Sequence, residues 1–152
     1  MKKIRKIMAA VDLSEYSRGV LEYAGELAES TKSDLVIVNV INHRDIETLQ
    51  NAASGTKGFS VDKWLKRQKE ERLKAIQGLI GETALSHLPI KTVLREGVPF
   101  RELIKAVEEE ETDLVVMGVK GRGNVPGVLV GSTAERVFRR CPVPILNVCC
   151  QR

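Results

Sequence analysis

Three short runs of apolar residues constrain the fold of this chain more than any other feature. They are Lys6-Ile-Met-Ala-Ala-Val11, Leu35-Val-Ile-Val-Asn-Val-Ile41 and Leu114-Val-Val-Met117. Runs this short, apolar at consecutive positions, predict strands covered on both faces, as in a parallel sheet. Between them, apolar residues recur at helical spacing. After the first run come Val20, Leu21, Ala24, Leu27 and Ala28, with Arg18, Glu22, Glu26 and Glu29 among them and Ser14 as the expected cap. A strongly charged helix is predicted over residues 61–82, with a thin apolar stripe at Leu65, Leu73, Ile76 and Ile80 and Trp64 beside it. Ile90-Lys-Thr-Val-Leu94 reads as a shorter edge strand with one solvated side. Gly97 and Pro99 open the next helix, buried through Phe100, Leu103, Ile104 and Val107. A last helix carries Ala134, Val137 and Phe138, and Pro142 and Pro144 break it before a final strand, Ile145-Leu-Asn-Val148. Residues 42–60 lack clear periodicity and contain Gly55 and Gly58, so a long mobile loop is expected there.

The order is therefore βαβαβαβαβ, with no internal repeat and no break that would read as a linker. It implies one domain over residues 1–152, three-layered, with helices on both faces of a five-stranded parallel sheet. With strand order 3-2-1-4-5, the first and fourth strands are neighbours at the point where the order reverses. Ligands bind beyond the carboxyl ends of strands at that point. The first strand ends at Asp12 and the fourth at Gly118, so both features would face one crevice.

Composition narrows the function. Apolar content of 43% with 29% charged suits a packed globular protein rather than a disordered one. A net charge of +4 would favour an anionic ligand but is too small to imply nucleic acid, and 4% aromatic content makes a base-stacking platform improbable. No stretch approaches the ~20 apolar residues of a membrane span. The cysteines Cys141, Cys149 and Cys150 form neither a CxxC pair nor an even disulfide framework. A cytoplasmic, reduced protein is the expectation.

Residues 117–133 hold five of the twelve glycines: Gly118, Gly121, Gly123, Gly127 and Gly131. A glycine-rich link from a strand to a helix N-terminus is a common phosphate cradle, because free N–H groups and the helix dipole both favour an anion. The familiar versions do not fit. The Walker pattern is absent, since Gly118 is followed by Gly123 and then Asn124, and the dinucleotide pattern fails at Pro126. Read alone, the stretch also admits a simpler, lesser alternative, a flexible surface loop of the kind glycine-rich segments often form.

With these residues in view, the sequence resembles the universal stress protein family. Gly118-x-x-Gly121, nine residues, then Gly131-Ser132-Thr133 is similar to that family's nucleotide-binding signature. The similarity runs along essentially the whole chain. It includes Val11-Asp12-x-Ser14-Glu15-x-Ser17, Gly97-x-Pro99, Asp113-Leu-Val-Val-Met-Gly118 and Cys141-Pro-Val-Pro-Ile-Leu146. The resemblance implies a Rossmann-like domain, of the adenine nucleotide alpha hydrolase-like kind, binding ATP or its relatives AMP and ADP. Asp12 would then meet ribose or base donors, Val40 would offer backbone groups to the adenine edge, and Met117 would cover the base. The N–H groups around Gly118 and Gly121 would contact the ribose–phosphate region. Gly131 would lead into Ser132 and Thr133, whose N–H groups would hold phosphate oxygens. Asp12 would also be placed to assist a magnesium ion on those phosphates. The family pattern leaves Lys120 and Arg122 unassigned. It also implies a homodimer through the last strand, residues 143–148, bounded by Val143 and Val148.

Simpler roles stay open for each position: Asp12 as a turn or helix cap, Val40 and Met117 as core, Ser132 or Thr133 as an N-cap. Nothing predicts turnover. His43 and His87 have no motif tying them to a nucleophile, and no zinc pattern is present. A phosphorylation receiver would need an acidic cluster after the first strand and an acceptor aspartate after the third; here stand the single Asp12 and Leu94-Arg95. The expected function is an adenine-nucleotide-binding stress-response regulator or sensor. The alternatives are a nucleotide-independent interaction module, or a slow ATPase or phosphotransferase.

Overall fold

A computed structural model describes residues 2–122, 126–127 and 129–149; Gly123 of the glycine-rich stretch and Cys150 lie outside the described residues. The strands are β1 (Lys6–Ala10), β2 (Asp34–Asn42), β3 (Ile90–Gly97), β4 (Leu114–Gly118) and β5 (Ile145–Val148). The helices are α1 (Ser17–Thr31), α2 (His43–Ala53), α3 (Val61–Glu82), α4 (Pro99–Glu109) and α5 (Ser132–Arg140). All strand pairings are parallel, as the alternation predicts, and the order is the expected β3-β2-β1-β4-β5.

The two faces of the sheet explain the continuous apolar runs. Ile7, Ala9, Leu35, Ile37, Leu114 and Val116 face one cluster with Val20, Leu21, Ala24 and Ala28 of α1 and Ile76 of α3. Their neighbours Met8, Val36, Val38, Val115 and Met117 face the other, with Leu103, Ala106 and Val107 of α4 and Ala134 and Val137 of α5. Side chains alternate along each strand, so a strand packed on both faces needs an apolar residue at every position.

The structure corrects several local expectations. Residues 42–60 are not one loop, because α2 occupies most of them. Asn42 caps α2, its side-chain oxygen accepting from the Arg44 N–H at 3.1 Å. The helix has no buried residue, which is why its apolar pattern at Ile46, Leu49 and Ala53 is weak. β3 runs on to Gly97 because it pairs with β2 all the way to Asn42. Ser14 does not cap α1; the helix begins at Ser17, and the Ser14 hydroxyl instead accepts from the Tyr16 N–H in the preceding turn. The N-cap of α5 is Gly131, with no side-chain cap, rather than Ser132 or Thr133. Phe138 is exposed, lying off the buried stripe of Ala134 and Val137.

Candidate functional site

At the carboxyl end of the sheet, the segments that follow β1 and β4 diverge to form a crevice of about 480 Å³. That volume is within the range of small-molecule sites. Ala10 pairs with Met117 at the last rung, so Asp12 and Gly118 leave the sheet side by side. Every residue singled out from the sequence lines this space: Asp12, Val40, Met117, Gly118, Gly121, Gly131, Ser132 and Thr133.

Asp12 joins the two rims. One carboxylate oxygen accepts from the Ser14 N–H at 3.0 Å and the Ser17 hydroxyl at 3.1 Å; the other accepts from the Arg122 N–H at 3.1 Å. The local turn role and the position in the crevice thus coexist. A carboxylate offers about four acceptor positions, so three donors leave one for a ligand. The next residue, Leu13, has φ 62°, a left-handed conformation unusual outside glycine.

The glycine-rich stretch doubles back onto β4. The Gly131 N–H donates to the Val119 carbonyl at 2.8 Å, bringing the ends of the intervening segment together. Gly121 gives the Asp12 carboxylate its room, since a Cβ there would lie 2.3 Å from a carboxylate oxygen and force that side chain to shift. A Cβ on Gly118 would approach the Lys120 carbonyl to 2.9 Å. Gly131 is less constrained, at φ −68° with the nearest backbone oxygen 3.3 Å away. With Gly131 at the N-cap, the N–H groups of Ser132 and Thr133 belong to the first turn, where a helix supplies no internal partner. They border the crevice, and an anion there would meet both the donors and the helix dipole.

The lining divides by polarity. Val38, Val40, Leu103 and Met117 make an apolar part; Asp12, Lys120, Arg122, Ser132 and Thr133 make a polar one. Sequence reasoning missed Asp45 of α2, which lines the crevice and lies 4.0 Å from the Arg122 guanidinium. The Asn42 cap was the available signal for the helix that carries it. It also missed Arg72, a charged residue of α3 outside the predicted apolar stripe, which is only 7% exposed. Its guanidinium donates to the Asn39 side-chain oxygen at 2.9 Å and approaches the Val40 carbonyl at 3.5 Å. Asn39, fully buried, donates in turn to the Val11 carbonyl at 2.7 Å. This network braces the ends of β1 and β2 from behind the crevice. Burial pushes the Arg72 pKa down, Arg122 lowers it further, and Asp45 partly opposes them.

Other candidate groups lie apart from the crevice. His87 pairs with Glu29 on the surface, and neither histidine lines the site. Burial raises the pKa of the Cys141 thiol, and Cys149 is exposed just after β5. Among the described residues, no group of three or more His, Cys, Asp or Glu side chains forms a metal site. None of their helices is long and apolar enough to cross a membrane.

A parallel sheet with a ligand-sized crevice at its topological switch point defines a Rossmann-like binding domain. The chain belongs to the universal stress protein family, whose pattern matches residues 3–148. It is 27% identical to universal stress protein MJ0531 of Methanocaldococcus jannaschii over 144 residues, covering 95% of this chain and 81% of that one. It is 25% identical to universal stress protein MJ0577 of the same organism, over 95% of this chain and 94% of the other. The solved structure of MJ0577 superposes with a TM-score of 0.81 at 22% identity, covering 99% of both chains. A universal stress protein solved in complex with cAMP superposes with a TM-score of 0.63 at 19% identity, over 97% and 98% of the two chains. These likenesses agree on the fold.

Proposed function

We propose that the crevice binds an adenine nucleotide, and that the protein acts as a ligand-responsive regulator rather than a catalyst. One observation carries this reading: a single cavity joins an apolar compartment to a glycine-built helix N-terminus, with Asp12 between them. An adenine ring needs apolar walls with backbone groups at its edge, which Val40 and Met117 supply. A ribose needs an acceptor such as Asp12, and phosphates need the N–H groups of Ser132 and Thr133. The relative solved with cAMP supports an adenine nucleotide as the ligand class. A magnesium ion would draw most of its ligands from the phosphates and water, its usual arrangement, with Asp12 as the nearest protein oxygen.

The regulator would work as a homodimer. The edge strand β5 supports this, since it pairs only with β4 and an unpaired edge is a surface proteins tend to cover. Sedimentation as a single chain at micromolar concentration would remove this part of the proposal.

The binding claim is tested by calorimetric titration with ATP and AMP. The wild type is expected to bind one nucleotide per chain. Gly121→Ala is expected to lose at least tenfold in affinity, about 1.4 kcal/mol, because the new methyl group displaces Asp12. Absence of binding by the wild type to either nucleotide would sink the reading. The slow-ATPase alternative predicts phosphate release with ATP and magnesium.

A further inference from the structure

Behind the crevice, α3 presents a cation to the ends of β1 and β2 without a counter-ion. Arg72 and Ile76 are the only buried residues of this 22-residue helix. Among the described residues Arg72 joins no ion pair; Asp45, which acts on its charge from a distance, stands beside Arg122 instead. A buried charge without an ionic partner is costly, and an apolar side chain would pack the helix more cheaply. What the guanidinium contributes lies in two hydrogen bonds from its Nη1. One goes to the Asn39 side-chain oxygen at 2.9 Å, the other to the Val40 carbonyl at 3.5 Å.

Those bonds fall where β1 and β2 part. Pairing of the two strands ends at Ala10 and Val38, closed by a bond from the Val11 N–H to the Val38 carbonyl at 3.0 Å. In a parallel ladder the next bond would run from the Val40 N–H to the Val11 carbonyl. The Asn39 side-chain amide takes that carbonyl instead, at 2.7 Å, while its oxygen is held by Arg72. Val38 and Val40 turn their peptide groups to the same side, and beyond Val11 the first strand no longer stands there. Val40 borders the crevice at this point.

We propose that Arg72 is a positioning residue for base recognition: through Asn39 and Val40 it keeps one N–H and one carbonyl aimed at a 6-aminopurine edge, so that the crevice prefers adenine to a 6-oxopurine. The proposal rests on the adenine-nucleotide reading of the crevice, with the base edge at Val40. Adenine accepts at N1 and donates from its 6-amino group. Hypoxanthine donates at N1 and accepts at O6, so the same two backbone groups oppose it. A carbonyl oxygen has two lone pairs, and the Arg72 bond leaves one for the base.

The test measures ATP and ITP affinities by calorimetry. Their ribose and phosphates are identical, so the ratio of the two reports the base edge alone. The wild type is expected to favour ATP by roughly tenfold, about the worth of one neutral hydrogen bond. In Arg72→Met, which keeps an apolar stem but no donor, the ratio should fall to about threefold or less. Arg72→Lys keeps the charge and a donor; its ratio should lie between these, and it serves if the Met variant does not fold. Ile76→Ala removes the other buried contact of α3, which belongs to the apolar cluster and not to this network. It should lower the urea midpoint and leave the ratio at its wild-type value. An unchanged ratio in the Arg72 variants would overturn the proposal. An equal fall in Ile76→Ala would do so too, since Arg72 would then act by packing α3 alone. So would a wild type that binds ATP and ITP alike. Failure of the wild type to bind ATP at all would instead overturn the crevice reading, and this proposal with it.

Discussion

Gly121 shows how one missing atom can define a site. A methyl group there would fall 2.3 Å from the Asp12 carboxylate. Glycine is therefore needed for close approach, not for an unusual φ. Gly131, which the signature marks as strongly, tolerates a Cβ more readily and serves as an N-cap. Arg72 makes a different residue-scale point. A guanidinium on a charged helix reads as solvated in sequence, yet here it is buried against the neutral oxygens of Asn39 and Val40, with its Nε unpaired among the described groups. Removing it would leave the buried Asn39 oxygen without a donor. Arg72→Ala is expected to lower stability by roughly 1–3 kcal/mol, read as an earlier urea midpoint with unchanged slope. An unaltered midpoint would mean that the network adds no net stability.

Among the elements, α2 and α3 form the loosely held part of the molecule. α3 spans 22 residues but buries only Arg72 and Ile76, and α2 buries none. Local opening free energy follows buried contact, so α2 amides are expected to exchange with solvent far faster than those of β1, β2 and β4. Hydrogen exchange followed by mass spectrometry measures this directly, and equal protection of α2 and the central strands would refute it. Because Asp45 of α2 lines the crevice, ligand binding should also slow exchange there. The same looseness explains what the sequence failed to announce. α1, α4 and α5 carry legible apolar stripes because they pack on the sheet. α2 is set by its Asn42 cap and offers only the short stripe of Ile46, Leu49 and Ala53, none of it buried, so its sequence is easily taken for a loop. The β1–α1 turn was legible in its residues but not in its bonding: Ser14 closes the turn and leaves the α1 cap without a side chain.

For the whole molecule, the layer assignment was legible because each buried strand must be apolar on both faces; the order 3-2-1-4-5 entered as a condition that burial and right-handed crossovers do not themselves fix. The crevice followed from that topology. The stacking of Arg136 and Arg140 of α5 on Phe100 of α4 did not, since only the folded chain brings these residues together. The opposite, amino end of the central strands β1 and β4 is latched by Asp113, which accepts from the Arg5 and Lys6 N–H groups at 2.9 and 3.1 Å and from Lys2 at 2.7 Å. The Lys2 contact, followed by those backbone donors, lowers its carboxyl pKa from 3.8 to about 2. A carboxylate depressed on folding stabilises fully above its unfolded pKa and loses that contribution as pH falls through its folded one. Stability should therefore decline between about pH 4 and pH 2, and Asp113→Asn should flatten that part of the curve. Urea midpoints across this range decide it; an equally steep decline in the variant would assign the acid loss elsewhere.

The central claim is that the crevice beyond the carboxyl ends of β1 and β4 holds an adenine nucleotide. Amide shifts of the labelled protein, followed by NMR as ATP is added, test it most directly. The account predicts the largest changes at Asp12, Val40, Met117, Gly118, Gly121, Ser132 and Thr133, with β3 and the carboxyl end of α1 unmoved. Saturating ATP that leaves those seven amides unshifted, or shifts confined to another face, would contradict it.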